Sequence, residues 1–330
     1  MTTSGRGRDD AVVCASEEGR AAIEWPDGKR FALTIVDDTE GSTLENVPPV
    51  YDLLRSLGLV TTKTVWPLGF RRTPRFGGGT LGDEAYRDWV LELAQSGFEI
   101  ALHGGTDHSS TRGETIAAID RFREVIGADP RVHVNHFGQR EGMYWGDARL
   151  DGLPAAAYRA ATRLLRSDER YYGHVEGSEY FWGDVCRERI EYVRNFTTPG
   201  VNTLRFDPLM PYHDRRRPYV RFWFSSSEAP DRDGFCRLLS DRNQDRLVAE
   251  GGLCIVYTHF AFGFSDGGRV DPRFRRTIER LADLPGWFAP VSTILDHIRT
   301  RPGWRPEPPV HDIRRIQRRW LRGRLRHGRR

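Results

Sequence analysis

The sequence predicts one α/β domain, a β/α barrel with seven or eight parallel strands. Three observations support this. Apolar, β-prone runs alternate with amphipathic helical stretches through the first half of the chain, the pattern of parallel strands joined by crossover helices. Further apolar runs complete seven or eight strands within about 270 residues, a density that suits a closed barrel better than an open sheet. Chemistry-bearing side chains recur at the ends of these runs, where a parallel barrel gathers them on one rim.

The elements follow in order. FALTIV (31–36) is the first strand and stops abruptly at Asp37-Asp38. PPVYDLLRSLG (48–58) reads as a helix, with Pro near its start and Gly58 after its end. VTTKTVW (60–66) is the second strand, 83–96 an amphipathic helix stopped by Gly97, and FEIALH (98–103) the third strand. Residues 111–126 form another helix and VHVNHF (132–137) a fourth strand. Strands are expected at 190–196, 202–206, 219–225 and 253–259, then a helix at 274–283 and a short piece near 288–295. Domain organisation reads as a mobile polar tail (1–20), the barrel (21–300), and a segment (301–330) with a Pro-rich linker, GWRPEPPV, leading to a basic C-terminal helix outside the barrel.

Composition narrows the function classes. Hydrophobic residues at 38% and charged residues at 29% are ordinary for a globular chain. No apolar run reaches membrane-spanning length, and MTTSGRGRDD lacks the apolar stretch of a secretory signal. Cys14, Cys186, Cys236 and Cys254 are too scattered for a disulfide framework, so a reducing, cytoplasmic setting is expected. The net charge of +4 is uneven: residues 311–330 hold nine Arg against Asp312, a local +8 that leaves about −4 elsewhere. With only Lys29 and Lys63 as lysines, the Arg bias does not point to nucleic acid. Val310, Ile313, Ile316, Trp320, Leu321 and Leu325 recur at near-helical spacing among the arginines, so peripheral contact with an anionic membrane through 310–326 is one expectation and packing on the barrel the other.

The strand-end residues are Asp37 and Asp38, His103, His136 and His259. Carboxylate and neutral imidazole suit zinc or a related divalent ion with a position left open for water. Such an ion lowers the pKa of that water and polarises a carbonyl, while a second carboxylate and a histidine serve as base and acid. GMYWGD (142–147), EYFWGD (179–184) and LMPYHD (209–214) cluster aromatics, and Tyr144, Trp145, Phe181, Trp182 and Tyr212 are candidates either for a sugar-stacking rim or for barrel packing. FGGGTLG (76–82) lacks the Gly-Lys-Ser/Thr of a phosphate loop and reads as a flexible loop. No nucleophile-elbow pattern surrounds Ser225-Ser226-Ser227, which argues against a serine hydrolase.

VDDTEG (36–41), FEIALHGGTDHSS (98–110), VNHFGQREGMYWG (134–146) and CIVYTHFAFG (254–263) together resemble, in order and strand context, the motifs of the polysaccharide deacetylases, carbohydrate esterase family four. The resemblance covers roughly residues 30–295 and implies a distorted barrel with about seven parallel strands. It implies Asp37 as catalytic base, Asp38, His103 and His108 as metal ligands, and His259 as leaving-group acid. Zinc is the expected ion, with cobalt or nickel as alternatives. The chain departs from the family in three places. Thr39-Glu40 stand where the family has Gly. Four residues rather than three separate His103 from His108. The Arg-x-Pro of the third motif is missing, with His136, Arg140 and Tyr144 nearest to it. His136 is therefore the reserve ligand, and His136, Arg140, Tyr144, Trp145, Trp182 and Tyr212 are expected to line the substrate site. The implied activity is metal-dependent removal of an acetyl or similar acyl group from an N-acylated sugar or glycan precursor, in surface glycan biosynthesis. A non-catalytic carbohydrate-binding relative is the alternative.

Overall fold

The computed structural model describes residues 23–164 and 170–327; the expected N-terminal tail and Cys14 lie outside them. Seven parallel strands close on themselves: β1 (Phe31–Asp37), β2 (Thr62–Val65), β3 (Glu99–Leu102), β4 (Val132–His133), β5 (Tyr192–Thr198), β6 (Phe222–Glu228) and β7 (Leu253–Thr258). Each pairs with the next, and β7 returns to β1 in register from Ala32↔Leu253 to Asp37↔Thr258. The predicted barrel is thus present, and it is distorted. After the antiparallel hairpin of β8 (Ser265–Asp266) and β9 (Arg269–Val270), β10 (Gly286–Phe288) pairs with Phe31–Leu33 of β1, leaving only Val36 and Asp37 to pair with β2.

The surrounding helices are α1 (Pro48–Ser56), α2 (Glu84–Gln95), α3 (Arg112–Ile126), α4 (Gly152–Leu164), α5 (Gly183–Arg189), α6 (Thr203–Phe206), α7 (Arg232–Leu238), α8 (Asp241–Glu250), α9 (Pro272–Ala282), α10 (Val291–Thr300) and α11 (Val310–His327). Two apolar layers follow from the period-two alternation of strand side chains. Leu33 and Ile35 join an outer layer with Tyr51 and Leu54 of α1. Ala32 and Val36 join Ala101, Val132, Val134, Phe224 and Ile255 in the barrel, with Val291, Ile294, Leu295 and Ile298 of α10 packed into the same cluster.

Three local expectations differ from the structure. Of residues 202–206, expected as a strand, Thr203–Phe206 are helical, because the Asn202 side chain caps α6 by accepting from the Arg205 N–H. VHVNHF pairs as strand only at Val132–His133; beyond it Asn135 turns its amide to the Met143 backbone, accepting from N–H at 2.7 Å and donating to C=O at 3.2 Å. The piece near 288–295 divides into β10 and α10.

The C-terminal helix does not stand clear of the barrel. Ile313, Ile316 and Trp320 of α11 are buried, and the Trp320 ring lies 5.5 Å from Phe196 of β5 and 5.8 Å from Tyr158 of α4. Ile313, Ile316 and Trp320, the middle of the apolar stripe, are therefore covered, while Val310 at its start stays exposed and the outward face is rich in arginine. No helix among the described residues is long and apolar enough to cross a membrane.

Candidate active site

The alternation that builds the two layers also separates the two adjacent aspartates. Asp37 continues the outward set of Leu33 and Ile35, and Asp38 the inward set of Ala32 and Val36. Asp37 is fully buried behind the barrel wall. Its Oδ2 accepts from the Tyr51 hydroxyl and from Lys63 Nζ, each at 2.9 Å, and its Oδ1 accepts from the Phe260 N–H at 2.8 Å. Both oxygens of this buried carboxylate are thus engaged by protein donors, two on Oδ2 and one on Oδ1, which fits a structural role better than that of a base receiving a proton from water. Burial alone would lower the Lys63 pKa, but the charge and hydrogen bond of Asp37, together with Tyr86 and Glu40, outweigh it and hold the ammonium above its ordinary value. Lys63 also donates to Ser42 Oγ at 3.0 Å, tying the loop after β1 to β2.

Asp38 points inward but meets a cation already present. Arg194 of β5 reaches across the barrel and grips both its oxygens, at 3.0 and 2.5 Å. The register of β5 against β6 shifts between Arg194 and Thr197, a bulge that sets the direction of this side chain apart from the following residues. The Arg194 guanidinium also lies 4.5 Å from the centre of the Tyr257 ring.

The histidines converge on Glu40. Its Oε1 is 3.1 Å from His103 Nε2 and 3.2 Å from His136 Nε2, and its Oε2 is 3.6 Å from His259 Nε2. Burial would raise the Glu40 pKa, but the charge and hydrogen bond of His103 and the contacts of His136 and His259 outweigh it and hold the carboxyl well below its usual range. His259 donates through Nδ1–H to the Pro230 carbonyl, 2.6 Å away. Burial would lower its pKa, yet Glu40 pushes it up to about 9. Glycines hold Glu40 in place. Gly78 comes so close to the loop after β1 that a Cβ would meet the Ser42 carbonyl oxygen at 2.8 Å, and the Gly79 N–H donates to that carbonyl. The glycine-rich segment expected to be flexible is thus a backbone brace for the Glu40 loop.

His108 is placed elsewhere. Its Nε2 is 3.1 Å from the Arg72 carbonyl and its ring packs on Phe70, outside the group formed by Glu40, His103 and His136. Its neighbour Asp107 faces the site instead. Asp107 Oδ2 accepts from the N–H groups of Phe76 and Gly77, whereas Oδ1, 3.9 Å from His136 Nε2, is buried with no hydrogen-bond partner. The aromatic candidates are mostly core. Trp182 and Tyr212 are 1% exposed, Tyr144 is buried against His174, and Trp145 is occupied by the Arg149 guanidinium at 3.6 Å. Exposed aromatic faces near the histidines come from Phe76, Phe137 and Phe262, of which only Phe262 lies in an aromatic cluster of the sequence, FAFGF (260–264); Phe76 packs on His136 and Phe262 on His259. Arg140 is exposed, beside Tyr180.

A divalent ion fits the donor set better than the protein atoms alone do. Two imidazole nitrogens point at one Glu40 oxygen, and His136 Nε2 has no satisfactory hydrogen bond there. Glu40, His103 and His136 bring donor atoms within 4.8 Å of one another, as do Asp38, Glu40 and His259.

No protein-family model matches the chain, and no curated protein matches it in sequence. Solved structures do. The "probable Polysaccharide deacetylase" of Pseudomonas aeruginosa PAO1 superposes with a TM-score of 0.50 at 14% identity, covering 87% of this chain and 97% of its own. Puue allantoinase gives a TM-score of 0.49 at 14% identity over 86% and 94%. The peptidoglycan deacetylase PdaC of Bacillus subtilis gives 0.38 at 10% identity over 88% and 97%. The likeness to the Pseudomonas protein extends over nearly the whole barrel and is one of fold.

Proposed function

We propose that this chain is a metal-dependent amide hydrolase that removes an acetyl or similar acyl group from an N-acylated sugar in surface glycan biosynthesis. The observation that carries the reading is the convergence of Glu40, His103, His136 and His259 at the mouth of the barrel into which the strands β1, β3, β4 and β7 deliver them. Glu40, His103 and His136 would hold the ion, for which zinc suits the mixed carboxylate and imidazole donors and cobalt or nickel are alternatives. Bound there, it would supply Lewis acidity toward an acyl carbonyl and a water of lowered pKa.

The remaining roles belong to side chains. Asp107, with one oxygen unpaired beside His136, is the carboxylate placed to accept a proton. His259, whose pKa the neighbouring Glu40 raises, would give its Nε2 proton to the departing amine. Asp37 supports it from behind by fixing the Phe260 N–H. Asp38, gripped by Arg194, anchors the barrel mouth rather than the ion.

The second reading, a carbohydrate-binding relative without catalysis, is favoured by one observation: both aspartates of the first motif are neutralised by cations, Lys63 and Arg194. Metal analysis separates the two. After loading with zinc, the wild-type chain is expected to retain one ion and to release acetate from a panel of N-acetylated sugars, and Glu40→Gln is expected to lose both. A wild-type chain that stays metal-free after zinc, cobalt and nickel loading sinks the hydrolase reading.

A further inference from the structure

We infer that the substrate of this site carries a phosphate group, received by Arg72, Arg75 and Arg140 in a cleft beside His136. The inference rests on the hydrolase reading and adds the substrate class. Two hollows of about 310 and 540 Å³ adjoin, with Arg72, His108 and Ser109 as common walls. The smaller reaches Asp107 and His136, where the chemistry is assigned. The larger continues past Arg140 to Tyr180. Together they form a path from the histidine cluster to solvent.

The charge along this path is positive and unspent. Arg71 at its edge is paired with Glu114, but Arg72, Arg75 and Arg140 have no carboxylate partner among the described residues. Aromatic side chains hold two of these guanidinium groups without neutralising them. Arg75 lies 5.0 Å from the ring centre of Phe76 and 5.5 Å from that of Phe137, and Arg140 lies 5.7 Å from that of Tyr180. His108 braces the wall by bonding the Arg72 carbonyl, so the motif histidine that stands apart from the metal group has a positioning use here. Planar guanidinium forks match the paired oxygens of phosphate and hold them bidentately. Phe76 and Phe137, 40% and 46% exposed, flank the cations and offer apolar faces to a sugar ring. A neutral glycan uses the aromatic faces alone and leaves three cations unmatched; a sugar phosphate or a nucleotide-linked sugar uses both.

The test reads binding, not turnover. Wild-type chain and Arg72→Gln/Arg140→Gln are titrated calorimetrically with N-acetylglucosamine 1-phosphate, N-acetylglucosamine and glucuronate. Both arginines are exposed, so the variant is expected to keep its melting midpoint. The wild-type chain is expected to bind the sugar phosphate at least about tenfold more tightly than the neutral sugar, an advantage that shrinks in salt. The double variant is expected to lose that advantage and to keep its weak affinity for the neutral sugar. Equal wild-type affinity for the sugar phosphate and the neutral sugar overturns the inference. So does a phosphate preference that survives in the double variant, or a glucuronate affinity equal to that for the sugar phosphate. Phosphate preference without metal retention or acyl release sustains the anion site and removes the hydrolase; acyl release from neutral sugars alone does the reverse.

Discussion

Replacing Asp37 by Asn separates two roles that its place in the first motif allows. Asp37 and Lys63 are both fully buried and 2.9 Å apart. Asn keeps one acceptor oxygen for either Lys63 or the Phe260 N–H, but the ammonium loses its counter-charge and is left with neutral partners such as Ser42 Oγ, at 3.0 Å. Breaking a buried pair from one side costs about 3–5 kcal/mol, because the survivor is an uncompensated charge. Lys63 can limit the cost by releasing its proton: burial lowers its pKa, and Asp37 is the foremost of the groups that reverse the shift. Urea unfolding at pH 7, followed by tryptophan fluorescence, is expected to show the midpoint falling in Asp37→Asn by an amount equivalent to about 3 kcal/mol or more. Asp37→Asn/Lys63→Met removes both charges and is expected to recover at least half of the loss. A catalytic base gives the opposite pattern, stability within about 0.5 kcal/mol of wild type and turnover down by about 10²–10⁴. That result would refute the assignment of Asp37 to structure.

Other expectations follow from single contacts. Asp107→Asn keeps an oxygen for the Phe76 and Gly77 N–H groups, so it is expected to fold and retain metal while acetate release falls about 10²–10⁴-fold. Burial lifts the Asp207 carboxyl to about 6 from its ordinary 3.8, so this group favours the folded state most below pH 3.8 and loses that contribution as pH rises to about 6. The span corresponds to roughly 3 kcal/mol at about 1.4 kcal/mol per pH unit, and pH-dependent unfolding of Asp207→Asn is expected to be flatter across that window. Gly78→Ala forces a Cβ onto the Ser42 backbone at φ +123°, so both stability, by about 1–3 kcal/mol, and metal retention should fall. Trp320→Ala is expected to cost about 3–5 kcal/mol in urea unfolding by opening the seat of α11. Co-sedimentation with anionic vesicles is expected to be abolished by salt, because Ile313, Ile316 and Trp320 are covered and the outward face of the docked helix is mainly arginine.

The barrel was legible because its signals are local and repeated. Each early strand is an apolar run followed by a helix with a recognisable stop, and the structure moves their ends by only one to a few residues. NTLRF failed as a strand because its apolar pattern is too short to fix a period, and a single Asn side chain decided for helix. The inward set was also present in the sequence, though motif order obscured it. Alternation along VHVNHF puts Val132, Val134 and His136 on one face, and alternation along FALTIVDD separates Asp37 from Asp38. His108 lies beyond any strand, where no period reaches it. Arg194 sits within an apolar run and has no local mark; only the closure of the barrel brings β5 opposite Asp38. The aromatic clusters misled because Trp and Tyr carry polar tips that loops can satisfy inside, as Trp182 does by donating to the Glu141 carbonyl.

Charge balance then gives the departure at Thr39-Glu40 a physical meaning. Asp37 and Asp38 are each matched by one buried cation, so neither brings net negative charge to the barrel mouth. Glu40, held ionised among three imidazoles, is the carboxylate left to draw a positive charge there, and Asp107 adds a second, half-satisfied one. Two arrangements can balance them: protonated histidines, or neutral histidines around a divalent ion. They differ in what acid does. Protonation strengthens the first and expels metal from the second, because imidazole must lose its proton to bind. Zinc affinity measured from pH 8 to pH 5 therefore distinguishes them without an assay of turnover. A steep fall in affinity as the pH drops supports an ion held by Glu40, His103 and His136. Absence of any zinc binding at pH 8 assigns the cluster to a proton-balanced structural network and takes the proposed hydrolase with it.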